Sequence, residues 1–91
     1  MVRRSRLEIY FDLLRVVDRG VSKPTRIMYK TNLSWKTLME ILDVLISKGF
    51  IRENIFRNSK RYHITEKGIN ALSYYNKSMH GLVANNIFVR T

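Results

Sequence analysis

The sequence predicts an α+β, mostly helical fold in which three helices precede a β-hairpin and a fourth helix follows it. Apolar residues recur at spacings of three and four in separate segments, which is the period of amphipathic helices. Two short strand-like stretches flank a turn between the third and the fourth of these segments. The 91 residues contain neither a repeat nor a linker, so residues 1–91 are expected to form a single domain.

The first helix is predicted over about residues 5–18, where the apolar side chains form one stripe. Ser5 and Glu8 have the spacing of a capping box at its start. Gly20 is expected just after the end of this helix, because glycine readily adopts the left-handed conformation that is common at that position. The stripe consists of Leu7, Tyr10, Phe11, Leu13, Leu14 and Val17.

A short second helix is predicted over about residues 24–29, because Pro24 suits the first helical position. A tight turn at residues 32–34 leads into a third helix over about residues 35–48, with Ser34 as its N-cap and Gly49 after its end. The apolar face of the third helix consists of Leu38, Ile41, Leu42 and Leu45.

Residues 50–56 and 61–64 are predicted to be the two strands of a hairpin, and residues 57–60 between them have turn chemistry. Thr65 is expected to cap a fourth helix over about residues 66–80, which Gly81 would end. Three helices followed by a hairpin, with short connections, make a winged helix-turn-helix, and the hairpin of such a fold is called its wing.

Three sequence motifs resemble those of a known family of small archaeal winged-helix DNA-binding proteins. The run TRIMYKTNLSW at residues 25–35 is most similar to the ten-kilodalton "a" class of Sulfolobus-type chromatin-associated proteins, which usually have Tyr where this chain has Trp35. The step YHITEKG at residues 62–68 is similar to the family's entry into its last helix, and RLEI at residues 6–9 also fits. The resemblance covers about residues 5–75.

The resemblance implies DNA binding, and dimerisation through a long C-terminal helix that forms an antiparallel coiled coil. This chain departs from the family's pattern at Gly81 and at the pair Asn85-Asn86, which fall where that helix would continue. We therefore expect a shorter interface, built from a helix pair and a packed tail.

The charge balance predicts a polyanionic partner. Lys and Arg number 17 against 7 Asp and Glu, which gives a formal net charge of +10. Double-stranded DNA is the expected partner, although acidic membranes or acidic proteins would also respond to such a field. No apolar run approaches the ~18 residues of a membrane span. Cysteine is absent, which fits a reducing compartment, and we expect a cytoplasmic, nucleoid-associated protein.

The third helix is the element that normally enters the major groove in this fold. Lys36 and Thr37 lie in its first turn, and Lys36 can donate to guanine. Glu40 can accept a hydrogen bond from cytosine, but both Glu40 and Asp43 repel phosphate. The sequence therefore leaves open whether this helix reads bases or stays out of the groove. Trp35 is interpreted as a packing residue at the start of the helix.

Two further groups of residues are candidates for contact with the DNA backbone. The wing turn combines three cations with two small polar residues, and it contains no acid: Arg57, Asn58, Ser59, Lys60 and Arg61. Cations also precede the first helix and surround the second: Arg3, Arg4, Arg6, Lys23, Arg26 and Lys30. Each cation alone is an ordinary surface residue, but the set predicts a track for phosphates.

Residues 66–91, the last helix and the tail, are the predicted dimerisation element. Ile69 and Leu72 are expected to cover the core of the domain, whereas the apolar groups farther along need a partner surface. The candidates for the dimer interface are Leu72, Tyr75, Met79, Leu82 and Phe88.

The sequence offers no chemistry for an enzyme. His63 and His80 have no partner at a metal-binding spacing, and no phosphate loop or nucleophile motif is present. We therefore expect no catalysis, cofactor, metal or small-molecule ligand.

The leading hypothesis is a homodimeric double-stranded DNA-binding protein, either a transcriptional regulator or a chromatin organiser. The alternative is a winged-helix module for protein–protein interaction, which Glu40 and Asp43 favour, and RNA binding ranks third.

Overall fold

A computed structural model describes residues 5–85, and it describes side chains as far as residue 78. The element order is the predicted one, with a two-stranded antiparallel sheet between the third and fourth helices. The elements are α1 (Arg6–Asp18), α2 (Pro24–Thr31), α3 (Trp35–Ser47), β1 (Ile51–Phe56), β2 (Ser59–Ile64) and α4 (Glu66–Asn85).

The helix starts use the caps that the sequence predicts. The Ser5 hydroxyl accepts a hydrogen bond from the Glu8 amide at 3.1 Å, and the Glu8 carboxylate accepts one from the Ser5 amide at 2.8 Å. Ser34 caps α3 through the amide of Thr37. Gly20 and Gly49, which follow α1 and α3, have φ of 97° and 82°, a conformation that favours glycine.

Two predicted helix ends are wrong. The second helix runs two residues farther than expected, to Thr31, and ends at Asn32 in the left-handed conformation with φ of 58°. Asn tolerates this conformation better than most residues, which explains a helix end without glycine. Helix α4 continues through Gly81 to Asn85. A glycine inside a helix costs about 1 kcal/mol relative to alanine, and this penalty weakens a helix without ending it.

The core lies where α1, α2 and α3 meet the base of the hairpin and the first half of α4. Among the side chains that the structure describes, eleven buried apolar ones form it: Leu13, Leu14, Val17, Ile27, Leu38, Ile41, Leu42, Leu45, Ile51, Tyr62 and Leu72. The predicted stripe of α1 is confirmed at its centre, but Leu7 at its start is 55% exposed. Ile69 is 46% exposed, so the expectation that it covers the core is wrong, whereas Leu72 does so.

The YHITEKG step fastens the end of α3 to the start of α4. The Thr65 hydroxyl donates to the carbonyl of Gly49 at 2.6 Å and accepts from the amide of Gly68 at 3.0 Å, so Thr65 is the predicted cap. The Lys67 ammonium donates to the carbonyl of Lys48 at 2.7 Å. A Cβ atom on Gly68 would lie 2.2 Å from the carbonyl oxygen of Phe50, so this position requires glycine.

Candidate nucleic-acid interface

The turn of the wing is shorter than predicted. The strands pair from Ile51 opposite Ile64 to Phe56 opposite Ser59, which leaves only Arg57 and Asn58 in the turn. Their φ values of 52° and 63° are those of a type I′ turn, whose twist matches that of a hairpin. The prediction of a turn over residues 57–60 is therefore wrong, because Ser59 and Lys60 belong to β2.

The cations of the wing gather around an aromatic ring and one carboxylate. The guanidinium carbons of Arg57 and Arg61 lie 5.3 Å and 5.6 Å from the centre of the Phe56 ring, which is a cation–π arrangement. The Lys60 ammonium lies 3.7 Å from the Glu53 carboxylate. All three cations thus lie at one hairpin tip. The Phe56 ring brings two of them, Arg57 and Arg61, close together before any ligand binds.

Glu53 is also tied to the core of the wing. Its carboxylate accepts a hydrogen bond from the buried Tyr62 phenol at 2.8 Å. Burial first, and then the hydrogen bond and charge of Glu53, raise the pKa of this phenol well above its ordinary value. The negative charge of Asp43 on α3 acts in the same direction. Tyr62 therefore stays a neutral hydrogen-bond donor.

The wing lies beside the start of α2, where cations from separate parts of the chain come together. One groove is lined by Lys23, Pro24, Thr25, Ser59, Lys60 and Arg61. A second groove shares Lys23 with the first and is lined by Arg19, Gly20, Val21, Ser22, Lys23 and Arg26. The Tyr62 amide donates to the Ser22 carbonyl at 2.9 Å, which holds β2 against this connection.

The two grooves join into one basic surface, which we name the cation track. Its members are Arg19, Lys23, Arg26, Lys60 and Arg61. The sequence predicts all of these as phosphate contacts except Arg19. The proximity of Arg19 to Lys23 could not be inferred from spacing alone, because the chain turns at Gly20 between them.

The outward face of α3 is mixed in charge. Lys36, Glu40, Asp43 and Ser47 are all exposed there. Thr37 is half-buried, and its hydroxyl lies 3.0 Å from that of Ser34, so part of its hydrogen-bonding capacity serves the helix cap. Lys36 is thus the predicted base-contacting residue that remains fully available at the start of α3.

Several large apolar residues of α2, α3 and the wing are exposed although the sequence did not predict it. Trp35 is 48% exposed, which is more than its interpretation as a packing residue implies, and Tyr29 is 79% exposed. On the wing, Ile55 and Phe56 are 62% and 53% exposed. A signal for the last pair exists in the sequence, because neighbouring residues of a strand point to opposite faces and cannot both meet the core.

Of the remaining candidates that the structure describes, none lines either groove of the cation track. Arg6 donates through Nε to the Tyr10 hydroxyl at 2.9 Å, and Arg3 and Arg4 lie outside the described residues. On α4, Leu72 is 6% exposed, so it offers little surface to a second copy.

Tyr75 packs on its own domain, because its ring stacks on that of Phe11 with centroids 3.9 Å apart. Phe88 and the side chains of Met79 and Leu82 lie outside what the structure describes.

Within the part of the chain that the structure describes, no group of three or more His, Asp or Glu side chains could hold a metal ion. Among the same residues, no helix combines the length and the apolar character that crossing a membrane requires. His63 is half-buried on β2, opposite Arg52.

A sequence profile of the winged helix-turn-helix family matches residues 3–81, which is most of the chain. The chain belongs to the winged helix-turn-helix family. The architecture predicted from the sequence is therefore confirmed, and this family's fold is a DNA-binding one. The wing is the hairpin β1–β2, and α2 and α3 form the helix-turn-helix.

This winged helix-turn-helix protein has archaeal relatives. It is 38% identical over 66 residues to an uncharacterised protein of Methanocaldococcus jannaschii, a match that covers 72% of this chain and 64% of the relative. A second uncharacterised protein of the same organism is 36% identical over 67 residues, and the match covers 74% of this chain but only 30% of the relative. The chain thus spans less than two thirds of either relative.

Solved structures agree with this assignment. Sso10a-2, a DNA-binding protein from Sulfolobus solfataricus, is 26% identical with a TM-score of 0.70, and the match covers 97% of this chain and 99% of that one. A winged-helix DNA-binding protein from STIV is 22% identical with a TM-score of 0.72, covering 89% and 96%. FabT of Streptococcus pneumoniae, solved in complex with DNA, is 18% identical with a TM-score of 0.72, covering 98% and 68%. The last two likenesses show the fold alone.

Proposed function

We propose that the chain is a double-stranded DNA-binding protein that acts as a homodimer, through the wing, the cation track and the start of α3. The observation that carries this proposal is the cation track itself. It brings five cations from the α1–α2 connection, α2 and β2 onto one surface of a helix-turn-helix fold. A run of phosphates is the natural partner of such a surface, because each neutralised phosphate releases a counterion.

The contacts divide into two kinds. The track and the wing turn serve the phosphates, which position the protein without reading sequence. Lys36 in the first turn of α3 is suited to a guanine edge, and Glu40 one turn on is suited to cytosine N4. Because Glu40 and Asp43 repel phosphate, base contact by α3 contributes less to affinity than the track does. The resulting protein has strong backbone binding and modest sequence preference.

Dimerisation is the second part of the proposal. Helix α4 has 20 residues, and the buried side chains of its described part, such as Leu72, lie in its first half. Tyr74 is 75% exposed, and apolar Met79 and Leu82 follow on the same helix. A shared interface is the favourable place for such groups, at ~25 cal/mol per Å² of apolar area buried. Sso10a-2, which is described as a DNA-binding protein, matches this chain over almost its full length, including α4.

This function needs no catalysis and no cofactor, and its place of action is the nucleoid. A regulator and a chromatin organiser differ in specificity. A regulator binds its own site about a thousandfold or more tighter than random duplex, whereas an organiser shows little difference. Because Glu40 and Asp43 limit the contact of α3 with bases, the structure favours a chromatin organiser.

The test is a titration of labelled random duplex at two salt concentrations, followed by anisotropy or gel shift. We expect tight binding at low salt and a steep loss at higher salt, with log K falling by about 0.9 per phosphate neutralised. Absence of duplex binding at low salt would contradict the proposal. It would favour the second candidate, a protein-interaction module, which the acidic residues on the outward face of α3 support.

A further inference from the structure

The tip of the wing carries an apolar pair that its own domain does not cover. Ile55 and Phe56 are 62% and 53% exposed, and they lie side by side at the end of β1. Because successive residues of a strand point to opposite faces, one apolar side chain projects from each face of the hairpin. Lys60 lies opposite Ile55, and Ser59 lies opposite Phe56. Because the two apolar side chains lie on opposite faces of the tip, only a partner that surrounds the tip can cover both.

The surroundings of this pair indicate what the partner is. The guanidiniums of Arg57 and Arg61 lie over the Phe56 ring at 5.3 Å and 5.6 Å, and Lys60 borders Ile55. The matching partner has anionic edges and an apolar interior. A DNA minor groove has this composition, with phosphates along both rims and stacked bases at its floor. The cation track runs from the same residues of β2 to α2, which extends the match along the DNA backbone.

The dimensions of the tip add a mechanical consequence. Two paired strands lie about 5 Å apart, and the minor groove of B-DNA is about 6 Å wide. A hairpin with side chains on both faces is therefore wider than the undistorted groove. It can enter only where the groove opens, and opening is easiest at flexible pyrimidine–purine steps.

We propose that Phe56 and Ile55 form a wedge that opens the minor groove and bends the duplex, an inference that rests on the DNA-binding function proposed above. Phe56 enters between two base pairs, and Ile55 packs on the sugar wall. The guanidiniums of Arg57 and Arg61 leave the ring for the flanking phosphates, which uncovers the ring for the bases. Apolar wedges of this kind bend DNA toward the major groove, by about 20–90°.

The experiment measures bending and binding on the same duplex. A duplex of about 30 base pairs with several TA steps carries a donor and an acceptor at its ends and 2-aminopurine at the steps. With saturating wild-type protein we expect energy transfer and 2-aminopurine fluorescence both to rise. The doubly substituted variant Ile55→Thr, Phe56→Ser is expected to bind within about tenfold of the wild type and to leave the duplex straight. Phe56→Leu retains an apolar wedge and is expected to keep most of the bend.

Each outcome decides the inference. Binding by the wild type without any change in energy transfer overturns the wedge and leaves the DNA-binding function standing. Absence of duplex binding overturns both. Equal bending by the wild type and a folded double variant overturns the wedge. If circular dichroism shows that the double variant is unfolded, the single variant Phe56→Ser decides instead: loss of most of the bend supports the wedge, and a bend equal to that of the wild type overturns it. Phe56-dependent binding to vesicles of phosphatidylserine and phosphatidylcholine, with no effect on duplex shape, overturns it in favour of a membrane partner.

Discussion

At the scale of single residues, Arg57 occupies a backbone conformation that an arginine adopts at a cost. With φ of 52° it is in the left-handed region, where glycine and asparagine are favoured. An arginine at this position gives up stability and places a cation at the outermost point of the wing. Such a conflict between local propensity and fold is expected at residues that serve function.

We expect Arg57→Asn to raise the free energy of unfolding by about 1 kcal/mol, because the strain of a left-handed arginine is relieved. The same substitution is expected to weaken duplex binding and to reduce the salt slope by about 0.9, the value for one phosphate contact. Urea unfolding and anisotropy measure the two effects. Asn58→Gly is the control, since it suits the turn equally well and is expected to leave affinity unchanged. Parallel loss of stability and affinity in Arg57→Asn would contradict a functional role for the arginine.

Gly68 is a second residue at which geometry decides the outcome. An added Cβ would lie 2.2 Å from the Phe50 carbonyl oxygen and 2.7 Å from Cγ1 of Ile64. Gly68→Ala is therefore expected to lower the free energy of unfolding by about 2 kcal/mol or more, because backbone must move to admit the methyl group. Asn70→Ala on the exposed side of the same helix is the control and is expected to stay within about 0.5 kcal/mol. Equal stability of the two variants would show that α4 shifts freely on the domain.

Sequence reasoning at this scale succeeds where a residue acts on near neighbours in the chain. The caps at Ser5, Ser34 and Thr65 are confirmed, because capping depends on a spacing of three residues. It fails where a role depends on distant packing. The stacking of Tyr75 on Phe11 joins α4 to α1, and no local pattern distinguishes that ring from one facing solvent.

At the scale of secondary-structure elements, α3 and the wing carry opposite charge characters. The wing turn and the start of β2 carry three cations, whereas the outward face of α3 carries two carboxylates beside Lys36. Sequence periodicity correctly predicts which residues of α3 face outward. It misjudges the turn of the wing, because a two-residue turn and a four-residue turn fit the same polar run, and only strand pairing selects between them.

The acidic face of α3 leads to a prediction about affinity. The double variant Glu40→Gln, Asp43→Asn is expected to bind random duplex several-fold more tightly at low salt, because two charges that repel phosphate are removed from a face turned toward DNA. The matched control is Asp18→Asn with Glu66→Gln, which makes the same change in net charge at exposed positions on α1 and α4. Equal gains in both double variants would show that only net charge matters and that α3 does not face the duplex.

At the scale of the whole molecule, the order of helices and strands was predictable from periodicity and turn residues. The extent of α4 was not, because Gly81 is a helix end by local preference, whereas here the helix continues to Asn85. The sequence predicts most cations of the cation track as DNA contacts, but it does not predict that they lie next to one another. The assembly of the track depends on the hydrogen bond from Tyr62 to Ser22, which connects residues 40 positions apart.

Assembly is tested by removing residues 79–91. We expect the full chain to sediment as a dimer and the shortened chain to be a folded monomer, because the described core includes no residue beyond Leu72. The monomer is expected to bind duplex more weakly, since linking two modest sites raises apparent affinity without any new contact. A concentration-independent monomer for the full chain would contradict the dimer.

We propose that a specific surface of this winged helix-turn-helix protein, rather than its overall positive charge, binds DNA. The most direct test compares two triple variants with equal net charge. One replaces Arg57, Lys60 and Arg61 of the wing by alanine, and the other replaces Lys48, Lys67 and Lys77, which are exposed and lie outside the wing. We predict that the salt slope for random duplex falls by up to about 2.7 in the wing variant, at about 0.9 per contact, and stays near the wild-type value in the control. Equal slopes in the two variants would contradict the claim.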